Sequence, residues 1–243
     1  MRARHVPGRL RTRLWLLLGR PMPITSQDRK VLETIILAKV AAERHRVLFV
    51  GCEIYTAHYR TFFRRNDYHT LDYDPAKQRY GARQHKVGSA TELDRYYPEG
   101  WFDAVIFNGV LGYGIDELAG AEAAIAACRT VLKPGGLLVV GWNDRPEVRA
   151  LVEASQELKR GLNPVVFEPL GVVQTEPIDV VKHVYSFFCE GRSGEAIGKR
   201  GLDCLLLRAS DLRIAHDVLG VRACVFGQLR VMPAHQTAAT PSG

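Results

Sequence analysis

The chain has 243 residues, a formal charge of +7 and 47% apolar residues, which gives one domain with appendages, or at most two small domains, around an ordinary globular core. Six of its arginines fall in the first 20 residues, where there is no acid. The remainder carries 27 basic against 26 acidic side chains, and a near-neutral body gives no electrostatic support for binding nucleic acid.

The basic start (Arg2, Arg4, Arg9, Arg11, Arg13, Arg20) surrounds the apolar run Leu14 to Leu18. Five apolar residues cannot span a bilayer and fall short of a secretory core. Residues 1–25 therefore read as a basic arm. It either makes peripheral contact with an anionic membrane or a protein, or is a leader whose Leu and Trp pack on the domain.

Thr25 to Asp28 has capping-box spacing, and apolar residues at 31, 32, 35, 36, 37 and 40 follow with a helical period. That predicts an amphipathic helix over 26–43. Short apolar runs then alternate with helical ones. Strands are predicted at 46–50, 68–73, 85–87, 102–107 and 137–141. Helical segments are predicted at 55–64 with Thr56 as N-cap, after Asp74-Pro75, at 91–97, at 119–132 and at 146–160. Residues 180–189 alternate as a strand, with 172–175 as a hairpin partner. Gly191 to Gly201 holds four glycines and reads as a linker before an extension running to 243.

Strands of four to six residues separated by helices require parallel pairing with right-handed crossovers. The fold class is therefore α/β, a Rossmann-like doubly wound sheet with helices on both faces. The five cysteines (Cys52, Cys128, Cys189, Cys204, Cys224) form no C-x-x-C pair and no Cys/His cluster. They fit reduced thiols in a cytoplasmic protein, with no metal site.

Ligands of such a sheet bind beyond the carboxyl ends of its strands. Gly51-Cys52-Glu53 follows the first strand, and Gly51 permits a tight turn with close backbone approach. Asp72 ends the second strand, where a carboxylate can accept hydrogen bonds from both hydroxyls of a ribose. Asp74, directly before Pro75, takes the capping role and leaves Asp72 free for it. Gly88-Ser89-Ala90, Asn108-Gly109-Val110 and Trp142-Asn143-Asp144 end the next three strands.

Taken in order, V-L-F-V-G-C, L-D-Y-D-P, V-G-S-A-T-E-L, F-D-A-V-I-F-N-G-V-L and L-K-P-G-G-L-L-V-V resemble the motifs of class I S-adenosylmethionine-dependent methyltransferases, over roughly residues 44–189. The resemblance implies a seven-stranded sheet whose last strand, 182–189, is antiparallel, and a domain spanning about 26–190. It implies S-adenosylmethionine as cofactor, with Gly51, Cys52 and Glu53 at its methionine part. Asp72 would hold its ribose and Tyr73 its adenine face. Ser89 and Ala90 would reach the adenine edge, and Asn108 would flank the sulfonium.

The opening motif departs from the family. An acid often stands two positions before the first glycine, and here that position is Phe49. The second and third glycines correspond to Glu53 and Tyr55, side chains that either reshape the methionine end or fill it. Glu53 is placed to replace the missing acid by facing the cofactor's ammonium or sulfonium charge.

The implied reaction is in-line displacement of a methyl group onto an acceptor, for which positioning is the protein's main task. N-G-V-L stands where many amino-methylating enzymes carry N-P-P-Y, so a small molecule or glycan is the expected acceptor. Tyr113, Asp144 and His183 are candidates for a general base, none of them decisive. The rival reading is a methyltransferase-like binding or scaffold protein that has lost its cofactor. A nicotinamide oxidoreductase would want more glycines, and an aminopropyl transferase a paired acidic site.

Overall fold

The structure, a computed structural model, describes residue 24 and residues 26–191. The basic arm, Thr25, the glycine-rich linker beyond Gly191 and the extension lie outside the described residues.

Helix α1 is a continuous run made of Gln27–Val31, a wide π turn Leu32–Ile36, and Leu37–Glu43. Its N-cap is Ser26, which makes no side-chain cap bond, so the described part of the expected capping box is not used. Strands follow as β1 (Arg46–Val50), β2 (Asp67–Asp72), β3 (Gln84–Val87) and β4 (Phe102–Asn108). Then come α2 (Leu118–Val131), β5 (Leu132–Asn143), α3 (Pro146–Ala154), β6 (Leu162–Pro164) and β7 (His183–Glu190).

The seven strands form one sheet in the order β3-β2-β1-β4-β5-β7-β6. Neighbours from β3 through β5 pair parallel, and β7 runs antiparallel to both β5 and β6, as expected. Val47 to Val50 and Ala104 to Phe107 are almost wholly buried. These β-branched and aromatic runs form central strands because both faces of the sheet are covered.

Several local expectations are corrected. Residues 55–64 form no α-helix; they make two 3-10 turns, Ile54–Thr56 and Tyr59–Thr61. Aromatic and β-branched residues are poor helix formers, and burial of Tyr59 and Phe63 fixes the segment instead. Thr56 is not the N-cap: Glu53 holds that position, and its N–H donates to Thr56 Oγ1 at 3.0 Å. The helix expected over 146–160 ends at Ala154 and is followed by a separate π turn. β5 starts five residues early, and the Lys133 to Gly136 turn forms a bulge opposite the Phe102–Ala104 register shift. The 172–175 segment meets β7 through one isolated bridge, Gln174 with Ser186, and not as a full strand.

Parallel strands place their ends on one edge of the sheet. There, Gly51 N–H donates to the Leu71 carbonyl at 3.0 Å and Gly88 N–H to Asp72 at 2.9 Å. Because β7 is antiparallel, its beginning reaches that same edge, pairing His183 with Asn143. This is how a residue far along the chain joins the strand tips.

Candidate active site

The carboxyl edge opens into a cavity of about 530 Å³, within the range of small-molecule sites. All eight residues expected at a cofactor site line it, as do Tyr113 and His183. Asp144 does not; it forms an ion pair with Arg149 at another surface dimple. Trp142, expected at the crevice mouth, is only 4% exposed and donates from Nε1 to Ser186 Oγ at 3.2 Å. It belongs to the core.

Asp72 is buried at the tip of β2. Its Oδ2 accepts the Cys52 N–H at 2.6 Å, and its Oδ1 accepts the Asp74 N–H at 2.9 Å. The expectation that Asp72 is free of structural work is therefore corrected: the carboxylate pins the turns after both strands. Each carboxylate oxygen has about two acceptor sites, so both oxygens retain capacity beside the cavity. Asp74 does cap the next turn, accepting the Ala76 N–H at 2.8 Å. Burial, with the Asp72 charge beside it, pushes the Cys52 thiol up to about 12, so it stays protonated.

Gly51 has φ +91°, and a Cβ there would lie 2.9 Å from the Asn108 carbonyl oxygen. Only glycine lets the two strand ends approach this closely. Phe49, at the position of the family's acid, packs edge-on against Tyr59 in the core, with ring centroids 5.4 Å apart. Glu53 forms an ion pair with Lys77, which faces the same cavity. Tyr55 stacks beneath the Arg29 guanidinium at 4.9 Å. The two bulky replacements line the cavity and leave it open.

Ser89 caps the turn after β3, its Oγ accepting the Thr91 N–H at 3.2 Å. Across the site, His183 Nδ1 lies 2.6 Å from Asn143 Oδ1 and Nε2 lies 3.1 Å from Asn108 Oδ1. Burial lowers the His183 pKa to about 4, so the ring is neutral near pH 7. A neutral imidazole carries one N–H, so the ring donates to only one of these two amide oxygens. Asn143 in turn donates to the Tyr113 hydroxyl at 2.8 Å. A Cβ on Gly141 would overlap Asn108 Oδ1, which explains a glycine inside an otherwise apolar strand. Tyr73, 66% exposed, stands at the mouth close to Gly114.

The remaining wall is one that sequence reasoning missed. Asp28, Arg29 and Leu32 of α1 line the cavity together with Tyr185 of β7. Glu33 anchors that helix. It is buried, accepts from Arg29 Nε at 3.0 Å and from the Tyr59 hydroxyl at 3.1 Å, and meets His58 Nε2 at 3.2 Å. Burial opposes its charge, but the His58 and Arg29 hydrogen bonds outweigh that and lower its pKa. The only signal in the sequence was an acid within the apolar run Val31 to Leu37.

Among the described residues no cluster of His, Cys, Asp and Glu could hold a metal ion, and no helix is long and apolar enough to cross a membrane.

A family model described as a methyltransferase domain matches residues 48–140. Among solved structures, the chain is similar to the N-methyltransferase NodS from Bradyrhizobium japonicum WM9, at 15% identity and a TM-score of 0.47, covering 68% of this chain and 97% of that one. It is also similar to a TehB-like SAM-dependent methyltransferase from Corynebacterium glutamicum, at 17% identity and a TM-score of 0.48, covering 75% and 95%. A third is the T. thermophilus 16S rRNA N2 G1207 methyltransferase, at 12% identity and a TM-score of 0.45, covering 68% and 42%. These comparisons do not support the exclusion of nucleic acid read from charge. A comparison with curated protein sequences returns no match.

Proposed function

We propose that the chain, whose residues 48–140 match a methyltransferase-domain model, is an S-adenosylmethionine-dependent methyltransferase that methylates a small molecule or glycan held at the mouth of this cavity. Residues 26–190 act as the catalytic domain, with residues 1–25 and 191–243 appended to it. When bound, S-adenosylmethionine supplies a methyl group already activated by its sulfonium.

The chain's own residues do the holding. Asp72 carries the reading: a buried carboxylate at the cavity wall, fixed by two backbone amides and still able to accept from a ribose diol. Each such charge-assisted bond contributes about 1.5–3 kcal/mol. Gly51 and Gly109, both at positive φ, bring backbone rather than side chain to the ligand. Ser89 and Ala90 meet the adenine edge, Tyr73 its face, and Asn108, held by His183, the sulfonium end. Tyr113 and Tyr73 border the opening through which the acceptor enters. The near-neutral body supports a small or neutral acceptor over a polyanion.

Calorimetric titration of the full chain with S-adenosylmethionine tests this. Micromolar binding is expected, falling at least about tenfold in Asp72→Asn with the melting transition retained. No heat at high ligand concentration removes the enzyme reading. Methyl-labelled cofactor incubated with cell extract should mark the small-molecule or glycan fraction. Label recovered in RNA overturns the acceptor assignment.

A further inference from the structure

The methionine end of the cofactor has no acid where the family keeps one. Phe49 occupies that position and faces Tyr59 in the core, while the nearest carboxylate on the loop, Glu53, is engaged by Lys77. A zwitterionic amino-acid head has both an ammonium and a carboxylate to satisfy.

Adjacent residues of α1 carry both charges. Asp28 and Arg29 line the same cavity as Gly51, Asp72 and Asn108. Asp28 Oδ1 is buried and has no hydrogen-bond partner. A buried carboxylate oxygen without a partner carries a desolvation cost that a cationic donor would relieve. Beside it, the Arg29 guanidinium lies over the Tyr55 ring and donates to Glu33.

The two charges are held in place. Glu33 bolts the helix to the His58 and Tyr59 segment that follows the β1 turn, and Tyr185 donates from its hydroxyl to the Asp28 carbonyl at 3.2 Å. Tyr55, the residue standing at a family glycine, is the platform under Arg29. The departures in the loop and the charges on the helix therefore belong to one arrangement.

We propose that Asp28, on the helix wall of the cavity, is the carboxylate that receives the α-ammonium of the bound cofactor. The amino-acid head is thus read by a helix that lies outside the matched residues 48–140. The proposal rests on the S-adenosylmethionine reading above.

Two ligands separate the claims. S-adenosylhomocysteine carries the amino-acid head, and 5′-methylthioadenosine has the same nucleoside without it. By calorimetry on the full chain, Asp28→Asn should weaken S-adenosylhomocysteine about tenfold or more and leave methylthioadenosine within about twofold. The variant is isosteric, and an unchanged melting transition shows that α1 is still docked. Unchanged S-adenosylhomocysteine affinity, or equal weakening of both ligands, overturns the role of Asp28 while the cofactor reading stands. If the wild-type chain binds neither ligand, the cofactor reading falls and takes this inference with it.

Discussion

The cavity has two walls of different origin. One is built from strand tips, where Asp72 and Asn108 end β2 and β4 and Gly51 and Ser89 lie just beyond β1 and β3. The other is built from α1 and the start of β7, where Asp28, Arg29, His183 and Tyr185 meet across more than 150 positions of chain. The first wall is set by local geometry: a parallel strand ends, the chain turns, and whatever residue follows faces the edge. The second depends on long-range packing, above all on Glu33.

The largest effect that distinguishes the walls should come from Glu33→Ala. It leaves Arg29, His58 and Tyr59 without their shared acceptor, and breaking such a buried cluster costs about 3–5 kcal/mol. Urea midpoints measure it, and a loss under about 1 kcal/mol would mean that α1 is not anchored through this side chain.

Second is a pH effect on the same wall. The His183 pKa is lowered from 6.5 to about 4 by burial. Below 6.5 the unfolded chain takes up a proton that the folded ring refuses, so its contribution is full above that pH and lost as pH falls toward 4. The amount is about 3 kcal/mol. Wild-type stability should fall more steeply over this window than that of His183→Gln. Parallel curves for the two would show that the ring titrates normally.

On the strand-tip wall, Gly51→Ala should cost about 2 kcal/mol, because alanine is strained at φ +91° and its methyl would press on the Asn108 carbonyl. Weaker S-adenosylhomocysteine binding should accompany it. The smallest effect is expected for Glu53→Gln. Its carboxylate is part-exposed and paired to Lys77, so cofactor affinity should change by no more than about twofold. A loss as large as that in Asp28→Asn would return the ammonium to Glu53.

What was legible in the sequence follows the same division. The alternation of apolar runs and helical segments sufficed for a parallel doubly wound sheet and its strand tips, whereas the antiparallel last strand followed from the family resemblance, since its pairing joins residues 40 or more positions apart. Residues 55–64 misled, since their helical spacing is overridden by buried aromatics that prefer two tight turns. Asp72 was placed correctly but assigned too little: its bonds to Cys52 and Asp74 require knowing how two turns lie in space. Asp28 was read only as the end of a capping box and Arg29 carried no marker beyond its charge, while His183 resembled any lone histidine in an apolar strand until the antiparallel pairing put it beside Asn143 and Asn108.

The central claim is that the Asp72 carboxylate holds the ribose of an adenosyl cofactor in this cavity. A crystal structure of the full chain with S-adenosylhomocysteine tests it most directly. The ribose diol is expected within about 3 Å of the Asp72 carboxylate oxygens, with the amino-acid head against α1. A ligand bound elsewhere, or one whose ribose leaves Asp72 untouched, would contradict it.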